Sequence, residues 1–528
     1  MFNRLPKTLL PLLSGALMGL SWYYHLSLLM LVAWLPLLAF ETAFREGHMS
    51  KLRYNLSVYF GFLLWNLIVS WWVVNASAGG AVVAFVVNSL FMTIVFVVYT
   101  RLRQVLAFTG NHWFLLPLWL AWEYGHTLWD LTWTWLTLGN VFSNLHAVVQ
   151  WYAYTGASGG SAWVLASNIL IYRLLTRPSS RRQKVLASAV VVVPIVVSLT
   201  LYLLPEQPSR STNKVVAVQP NIDPYNEKFF TGFSEQFEKT AAMATPQLDS
   251  TVDLLLFPET FISENLNEEV INESEEIDWF RGTYLQAFPK LSIVAGTNSY
   301  QLFSDIAPRP STARFDERMK TWYDVYNTGI CISTRSVQLY HKSKLVPGVE
   351  RMPFPALLRP LEALAIDMGG TMGSLGTQTD RSVFEDNGGH KCAPVICYES
   401  VYPDFVREYI QKGAQLITVI TNDGWWGNTP GYRQHKDYAR LRAIECHRWV
   451  VRSANTGTSC FIHPNGDSEQ ETKWWEPAII SAEVGIYDDQ TFFVKHGDLL
   501  SYTASGIAIV LIVWRLLIFV LRLVTKNP

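Results

Sequence analysis

Long uncharged apolar runs fill the first two hundred residues and return near the C-terminus, with shorter alternating elements between them. Residues 56–74, 80–99 and 185–204 carry no charged side chain, and each is long enough for a helix to cross a hydrocarbon layer of roughly 30 Å. Further spans are read at 6–25, 27–43, 112–128, 154–174 and 499–519, which makes eight. So many uncharged runs of this length argue against buried core helices of a soluble protein. Arg4 and Lys7 before the first run imitate a signal peptide, but no small-residue cleavage site follows, so the run is read as a retained first helix.

Basic residues order these spans. Arg4 and Lys7 precede the first; Arg45, Lys51 and Arg53 lie between the second and third; Arg101 and Arg103 between the fourth and fifth. Arg173, Arg177, Arg181, Arg182 and Lys184 lie between the sixth and seventh, and Arg522 and Lys526 follow the eighth. With eight spans all five groups share one side, which the positive-inside rule makes cytoplasmic. The segment 205–498 is then expected outside the cytoplasm. The opposite loops hold Trp71, Trp72, Trp119, Trp122, Trp129, Trp133 and Trp135, expected as anchors at the headgroup level.

The middle segment reads as alternating strands and helices. Strands are expected at 214–219, 253–258, 292–297, 328–333, 393–397, 416–421, 450–454 and 460–463, with helices at 227–243 and 432–447. This predicts an α/β layered domain whose chemistry sits at strand ends. The expected domains are 1–204 (seven spans), 205–498 (catalytic) and 499–528 (eighth span and tail).

Composition agrees with a membrane protein. Of 528 residues, 50% are hydrophobic, 16% are charged and 21 are Trp, too apolar and aromatic for a typical soluble chain. A net charge of −1 gives no electrostatic case for binding nucleic acid.

Three strand ends carry candidate chemistry. Glu259 ends the run Leu254-Leu255-Leu256-Phe257-Pro258-Glu259, Lys342 follows Tyr340-His341, and Cys397 ends Ala393-Pro394-Val395-Ile396-Cys397. A carboxylate base, an ammonium and a thiol are the parts of an acyl-transfer site: the base takes the thiol proton, and the cation lowers the thiol pKa and faces the oxyanion. Glu399, two residues past the thiol, is expected to orient Lys342. The five cysteines all lie in this segment, so outside the cytoplasm at least one is unpaired. Cys392 and Cys397, five apart on a strand, point to opposite faces and are not expected to pair. His435, His447 and His463 are scattered and no CxxC or HExxH occurs, so no metal is expected, nor any cofactor.

The contexts FPET (Glu259), YHKSKLVP (Lys342) and ICYES (Cys397) resemble the nitrilase, or carbon–nitrogen hydrolase, superfamily. Val218-Gln219-Pro220-Asn221-Ile222, Thr421-Asn422-Asp423-Gly424-Trp425-Trp426-Gly427 and Arg452-Ser453-Ala454-Asn455-Thr456-Gly457 add to the likeness. With spans on both sides, the chain resembles the bacterial apolipoprotein N-acyltransferase family nearly end to end.

That resemblance implies an αββα nitrilase-like sandwich facing the periplasm, carried on a helical bundle in the bacterial inner membrane. It implies transfer of an acyl chain from a phospholipid, typically phosphatidylethanolamine, through a Cys397 thioester to the N-terminal amine of an S-diacylglyceryl-cysteine apolipoprotein, by a monomeric enzyme. Glu350, in Pro347-Gly348-Val349-Glu350, keeps the family's supporting carboxylate in a changed turn, and Tyr398 also supports the site. Tyr225, near a position where relatives carry Trp, joins Phe354, Leu358, Trp425 and Asn422 as candidate substrate contacts. Asn422, Trp425 and Arg452 also read as structural.

The apolar stretch 351–375 reads either as a lid toward lipid or as a core helix. A membrane-tethered amidase or nitrilase would share the trio but release free acid. A transporter would need intramembrane charges, for which the sequence offers Glu41, Glu123 and Asp130.

Overall fold

The computed structural model describes residues 6–23, 25–105, 112–205, 208–228, 230–304, 308–351, 354 and 375–524. The chain divides into two units: residues 1–74, 80–204 and 496–528, and residues 75–79 with 205–495.

The first unit is helical. Among the described residues, four helices are long and apolar enough to cross a membrane: Ser27–Arg45, Ala78–Gln104, Arg181–Leu203 and Leu499–Leu521. Only 11% of the apolar stretch of each of the last two is buried, a surface that hydrocarbon tolerates and water does not. The other four expected spans fall on helices that fail this test of length and apolarity. Leu9–Leu20 and Leu115–Gly125 have 12 and 11 residues, Lys51–Ser70 begins on Lys51 and Arg53, and Ala157–Thr176 is diluted by Gly, Ser and Asn168. A count of eight spans is therefore not established.

Aromatic packing holds this unit together. Trp34 meets Trp119 edge-on at 4.6 Å, and Trp72 packs on Trp135 at 4.9 Å. Trp72, Trp119 and Trp135 are at most 1% exposed, so these three are core residues and not interfacial anchors. A Cβ on Gly15 would lie 2.0 Å from the Gly61 carbonyl oxygen; only glycine lets those two helices approach so closely. Glu41 and Arg103 form a buried ion pair, which neutralises one of the intramembrane charges a transport reading would use.

The second unit is a two-sheet sandwich. Its strands are β1 (Ser211–Gln219), β2 (Leu254–Leu256), β3 (Ile262–Asn267), β4 (Ser292–Phe303), β5 (Arg314–Asp316), β6 (Thr321–Ile332), β7 (Val337–His341), β8 (Phe384–Glu385), β9 (Lys391–Ile396), β10 (Leu416–Thr421), β11 (Val450–Ala454), β12 (Cys460–Ile462), β13 (Ser468–Glu469) and β14 (Ala478–Ile486). One sheet runs β14-β1-β2-β4-β6-β5, with β3 on β4 and β7 on β6; the other runs β13-β12-β11-β10-β9-β8. All eight strands read from the sequence are present, because buried apolar runs bounded by turn residues leave little ambiguity.

The inner faces meet directly. Gly329 of β6 faces Ile396, Pro394 and Ile420 of the opposite sheet, and Ser453 Oγ donates to the Val218 carbonyl at 2.7 Å. Helix Phe233–Ala244 covers the outer face of the first sheet, its Phe233, Phe237 and Ala241 entering a cluster with Val216, Leu255, Phe257 and Ile293. Helices Pro403–Gln411 and Pro430–Cys446 pack on β9, β11 and β12 of the second sheet. The order is helix, sheet, sheet, helix.

Candidate active site

Three strand ends converge. Glu259 follows β2, Lys342 follows β7 and Cys397 follows β9. Lys342 Nζ donates to Glu259 Oε1 and to Glu350 Oε1, both at 2.8 Å. Asn327 of β6 ties the two carboxylates together, its Nδ2 donating to Glu259 Oε1 at 2.9 Å and to Glu350 Oε1 at 3.1 Å. The second oxygen of Glu259 accepts the Asn422 amide at 3.2 Å, and that of Glu350 accepts the Val346 amide at 2.8 Å.

Cys397 lies at a sharp turn, with φ of 50°, in the left-handed region that only glycine enters freely. The turn lifts the thiol off the end of β9 and is held from behind. The Cys397 carbonyl accepts the Ser400 hydroxyl at 2.8 Å and lies 3.1 Å from His435 Nε2. His435 Nδ1 is 3.0 Å from Asp423 Oδ1, and Asp423 is ion-paired with Arg452, all fully buried.

Burial decides the electrostatics. It pushes the Cys397 thiol well up; the Glu259 carboxylate adds to this, and the Lys342 ammonium opposes it without winning. Lys342 lowers the thiol pKa as expected, but removing a thiolate from water outweighs one cation that two carboxylates already share. Burial also raises the carboxyl of Glu259, but Lys342 outweighs it and holds Glu259 below the ordinary range. Lys342 is disfavoured by burial and still held well above the ordinary lysine range by Glu259 and Glu350. The resting site is thus a neutral thiol beside a carboxylate–ammonium–carboxylate cluster. Such a site can pass the thiol proton to Glu259 only as the sulfur bonds to an acyl carbon and Lys342 meets the new oxyanion.

Glu399 reaches the Lys342 segment through the main chain. It does not bond Lys342; its Oε1 accepts Tyr340 OH at 2.6 Å and the Ser343 amide at 2.7 Å, and its Oε2 accepts the Ile396 amide at 2.8 Å. It locks the residue after Lys342 to the residue before Cys397. Tyr398 is buried and packs edge-on against Tyr402 at 5.2 Å.

The substrate-contact candidates scatter more. Tyr225 is half exposed, meets Trp425 edge-on at 5.1 Å and donates to its carbonyl at 2.9 Å. Asn422 touches Glu259 through its amide and caps a turn by accepting the Gly424 amide, which is a structural placement. Phe354 is exposed. Leu358 and most of the 351–375 stretch lie outside the described residues.

Sequence reasoning missed Asn327, His435 with Asp423, and Lys228. Asn327 lies one residue before the strand read at 328–333, and the pairing of His435 with the Cys397 carbonyl depends on the fold alone. All five cysteines are free and buried, Cys392 and Cys397 included. Among the described residues no cluster of His, Cys, Asp or Glu suits a metal ion.

Residues 214–487 match the carbon-nitrogen hydrolase family, and residues 14–170 match the apolipoprotein N-acyltransferase N-terminal domain. A protein of Chlorobaculum tepidum named apolipoprotein N-acyltransferase is 31% identical over 95% of each chain. The chain belongs to the apolipoprotein N-acyltransferase family. A family member from Geobacter metallireducens is 25% identical over 96% of each chain. Among solved structures, Saccharomyces cerevisiae Nit3, a nitrilase-superfamily member, aligns at a TM-score of 0.37 and 16% identity over 53% of this chain and 93% of its own. The match to the N-terminal domain takes in Ser27–Arg45 and Ala78–Gln104 but not Arg181–Leu203 or Leu499–Leu521.

Proposed function

We propose that this enzyme, a lipoprotein N-acyltransferase, moves a fatty acyl chain from a membrane phospholipid to the N-terminal amine of a diacylglyceryl-modified cysteine. Cys397 attacks the ester carbonyl while its proton passes to Glu259. Lys342 turns toward the oxyanion, and Glu350 keeps that lysine charged and in place. Collapse breaks the ester C–O bond, the leaving alcohol takes the proton from Glu259, and an acyl thioester remains on Cys397. The lipoprotein amine then attacks the thioester, loses a proton to Glu259 and leaves as an amide, and the sulfur is reprotonated.

One observation carries this reading: Lys342 is clamped by two carboxylates at 2.8 Å beside a thiol at a strained turn. A structural ion pair needs neither the second carboxylate nor the strain. The membrane unit argues for a lipid donor, since acyl-CoA is confined to the cytoplasm. In the same reading eight spans cross the inner membrane, the five basic loops face the cytoplasm, and residues 205–498 lie outside, with phosphatidylethanolamine the expected donor.

The test is to incubate purified protein with acyl-labelled phosphatidylethanolamine and a diacylated lipopeptide. The expected product is an amide-linked acyl lipopeptide. Release of labelled free acid with no amide would indicate a hydrolase.

A further inference from the structure

Lys228 is a second buried lysine beside the catalytic carboxylate, only 2% exposed. Its Nζ donates to the main-chain carbonyl of Glu259 at 3.3 Å and to Thr260 Oγ1 at 2.5 Å. Thr260 has φ of 47°, a left-handed conformation costly for a β-branched residue, so the turn carrying Glu259 persists only because its surroundings hold it. Gly296 of β4 presses on the same turn: a Cβ there would lie 2.4 Å from the Thr260 nitrogen and 2.6 Å from Glu259 Cα. Lys228 is itself anchored, its carbonyl accepting Gln236 Nε2 of helix Phe233–Ala244 at 2.9 Å.

A buried ammonium is an expensive way to fasten a turn; an apolar side chain would stabilise the fold as well or better. Its value lies in its charge. Burial draws Lys228 down to about 8, with the Glu259 carboxylate opposing the fall, so the two groups feel each other. The groups around the Glu259 carboxyl are Lys342, Glu350, Asn327, the Asn422 amide and Cys397. Lys342 must turn away from Glu259 to meet the oxyanion, and Lys228 is the cation that stays.

We propose that Lys228 is the positioning residue for Glu259, holding its strained turn and making the protonated carboxyl a better acid toward the leaving alcohol. The inference rests on Glu259 being the proton carrier. As Cys397 Sγ bonds to the acyl carbon, the thiol proton goes to Glu259; as the ester C–O bond breaks, that proton goes to the departing alkoxide. A cation beside Glu259 disfavours the first transfer and favours the second. A glycerol-type alkoxide leaves poorly unless protonated, so the second transfer is where the charge helps.

The experiment uses the full-length enzyme and esters of one acyl chain with an alkyl alcohol or with nitrophenol, and measures acyl-enzyme formation against pH. Lys228→Gln keeps a donor for both oxygens and loses the charge. The expected result is a loss on the order of 100-fold with the alkyl ester but under about 10-fold with the nitrophenyl ester, whose leaving group needs no proton. The acid limb of the rate profile should also move to higher pH, because Glu259 becomes easier to protonate. Equal losses for both esters with an unmoved acid limb would assign Lys228 to structure alone and overturn the proposal, as would an unchanged variant. Alkylation of Cys397 by iodoacetamide and an unshifted melting temperature confirm that the variant is folded. Glu259→Gln is the control: if it acylates from both esters at the normal rate, the proton-carrier reading itself fails, whatever Lys228 does.

Discussion

Glu399 is tied to the segment after Lys342 through the main chain, its Oε1 accepting the Ser343 amide at 2.7 Å, one residue past Lys342. Because Glu399 also holds the Ile396 amide at 2.8 Å, one residue before Cys397, a single buried carboxylate fixes the spacing of nucleophile and cation. Glu399→Ala should slow acyl-enzyme formation about 100-fold, the usual cost of misplacing a reacting group by about an ångström. The KM for phospholipid should stay nearly unchanged, and single-turnover kinetics will separate the two effects. A loss confined to KM would move Glu399 out of this role.

Glu259 should affect two reactions of the same thiol in opposite directions. Its carboxylate raises the Cys397 pKa, so Glu259→Gln increases the thiolate fraction at a fixed pH. Alkylation by iodoacetamide should therefore speed up while acylation by phospholipid collapses for want of a base. In the wild type, where burial pushes the thiol well up, alkylation should be slow at neutral pH and climb steadily as pH rises. Parallel loss of both reactions in the variant would contradict the assignment.

Lys342→Met should lower acyl-enzyme formation by about 100- to 1,000-fold through loss of the oxyanion partner. Lys342→Arg should not rescue it, because a planar guanidinium cannot replace a point charge between two carboxylates at 2.8 Å. Stopped-flow measurement of thioester formation would show this.

The buried Asp423–Arg452 pair behind Cys397 should matter for stability. Asp423→Ala leaves the guanidinium buried without its partner, at a cost of about 3–5 kcal/mol. Burial alone would raise the Asp423 carboxyl, but Arg452 and His435 hold it below the ordinary aspartate range. A depressed carboxyl contributes stability above its unfolded pKa and loses it as pH falls through the folded one. The wild type should therefore keep this contribution at neutral pH and lose it only in strong acid, and the melting temperature should fall less across that range in Asp423→Ala than in the wild type.

The sandwich was readable because its strands are buried apolar runs ending in punctuated turns; Leu416–Thr421 and Val450–Ala454 fall where their composition puts them. Glu259 and Cys397 could be read as candidates because each ends such a run in a reactive group, and Lys342 through the motif around it. What was hidden depends on long-range contacts: Asn327 binds a carboxylate 68 residues earlier, and His435 reaches the Cys397 carbonyl 38 residues away. The net direction of the thiol's shift is not legible in the sequence, because burial cannot be read from spacing. The tryptophan loops misled for the same reason, since Trp72 and Trp135 are spent on each other.

Membrane orientation is open to direct test. A reporter active only outside the cytoplasm should work when fused after Ser209 and fail after Ser180, the residue that caps helix Arg181–Leu203. The reverse pattern would remove the argument for a lipid donor.

The central claim is that Cys397 carries the acyl chain. Full-length protein incubated with phosphatidylethanolamine and no acceptor should show, by mass spectrometry, one acyl group on the peptide containing Cys397. Hydroxylamine or the diacylated lipopeptide should remove it, and it should be absent from Cys397→Ala. An acyl adduct that persists in Cys397→Ala, or amide product formed by that variant, would contradict the account.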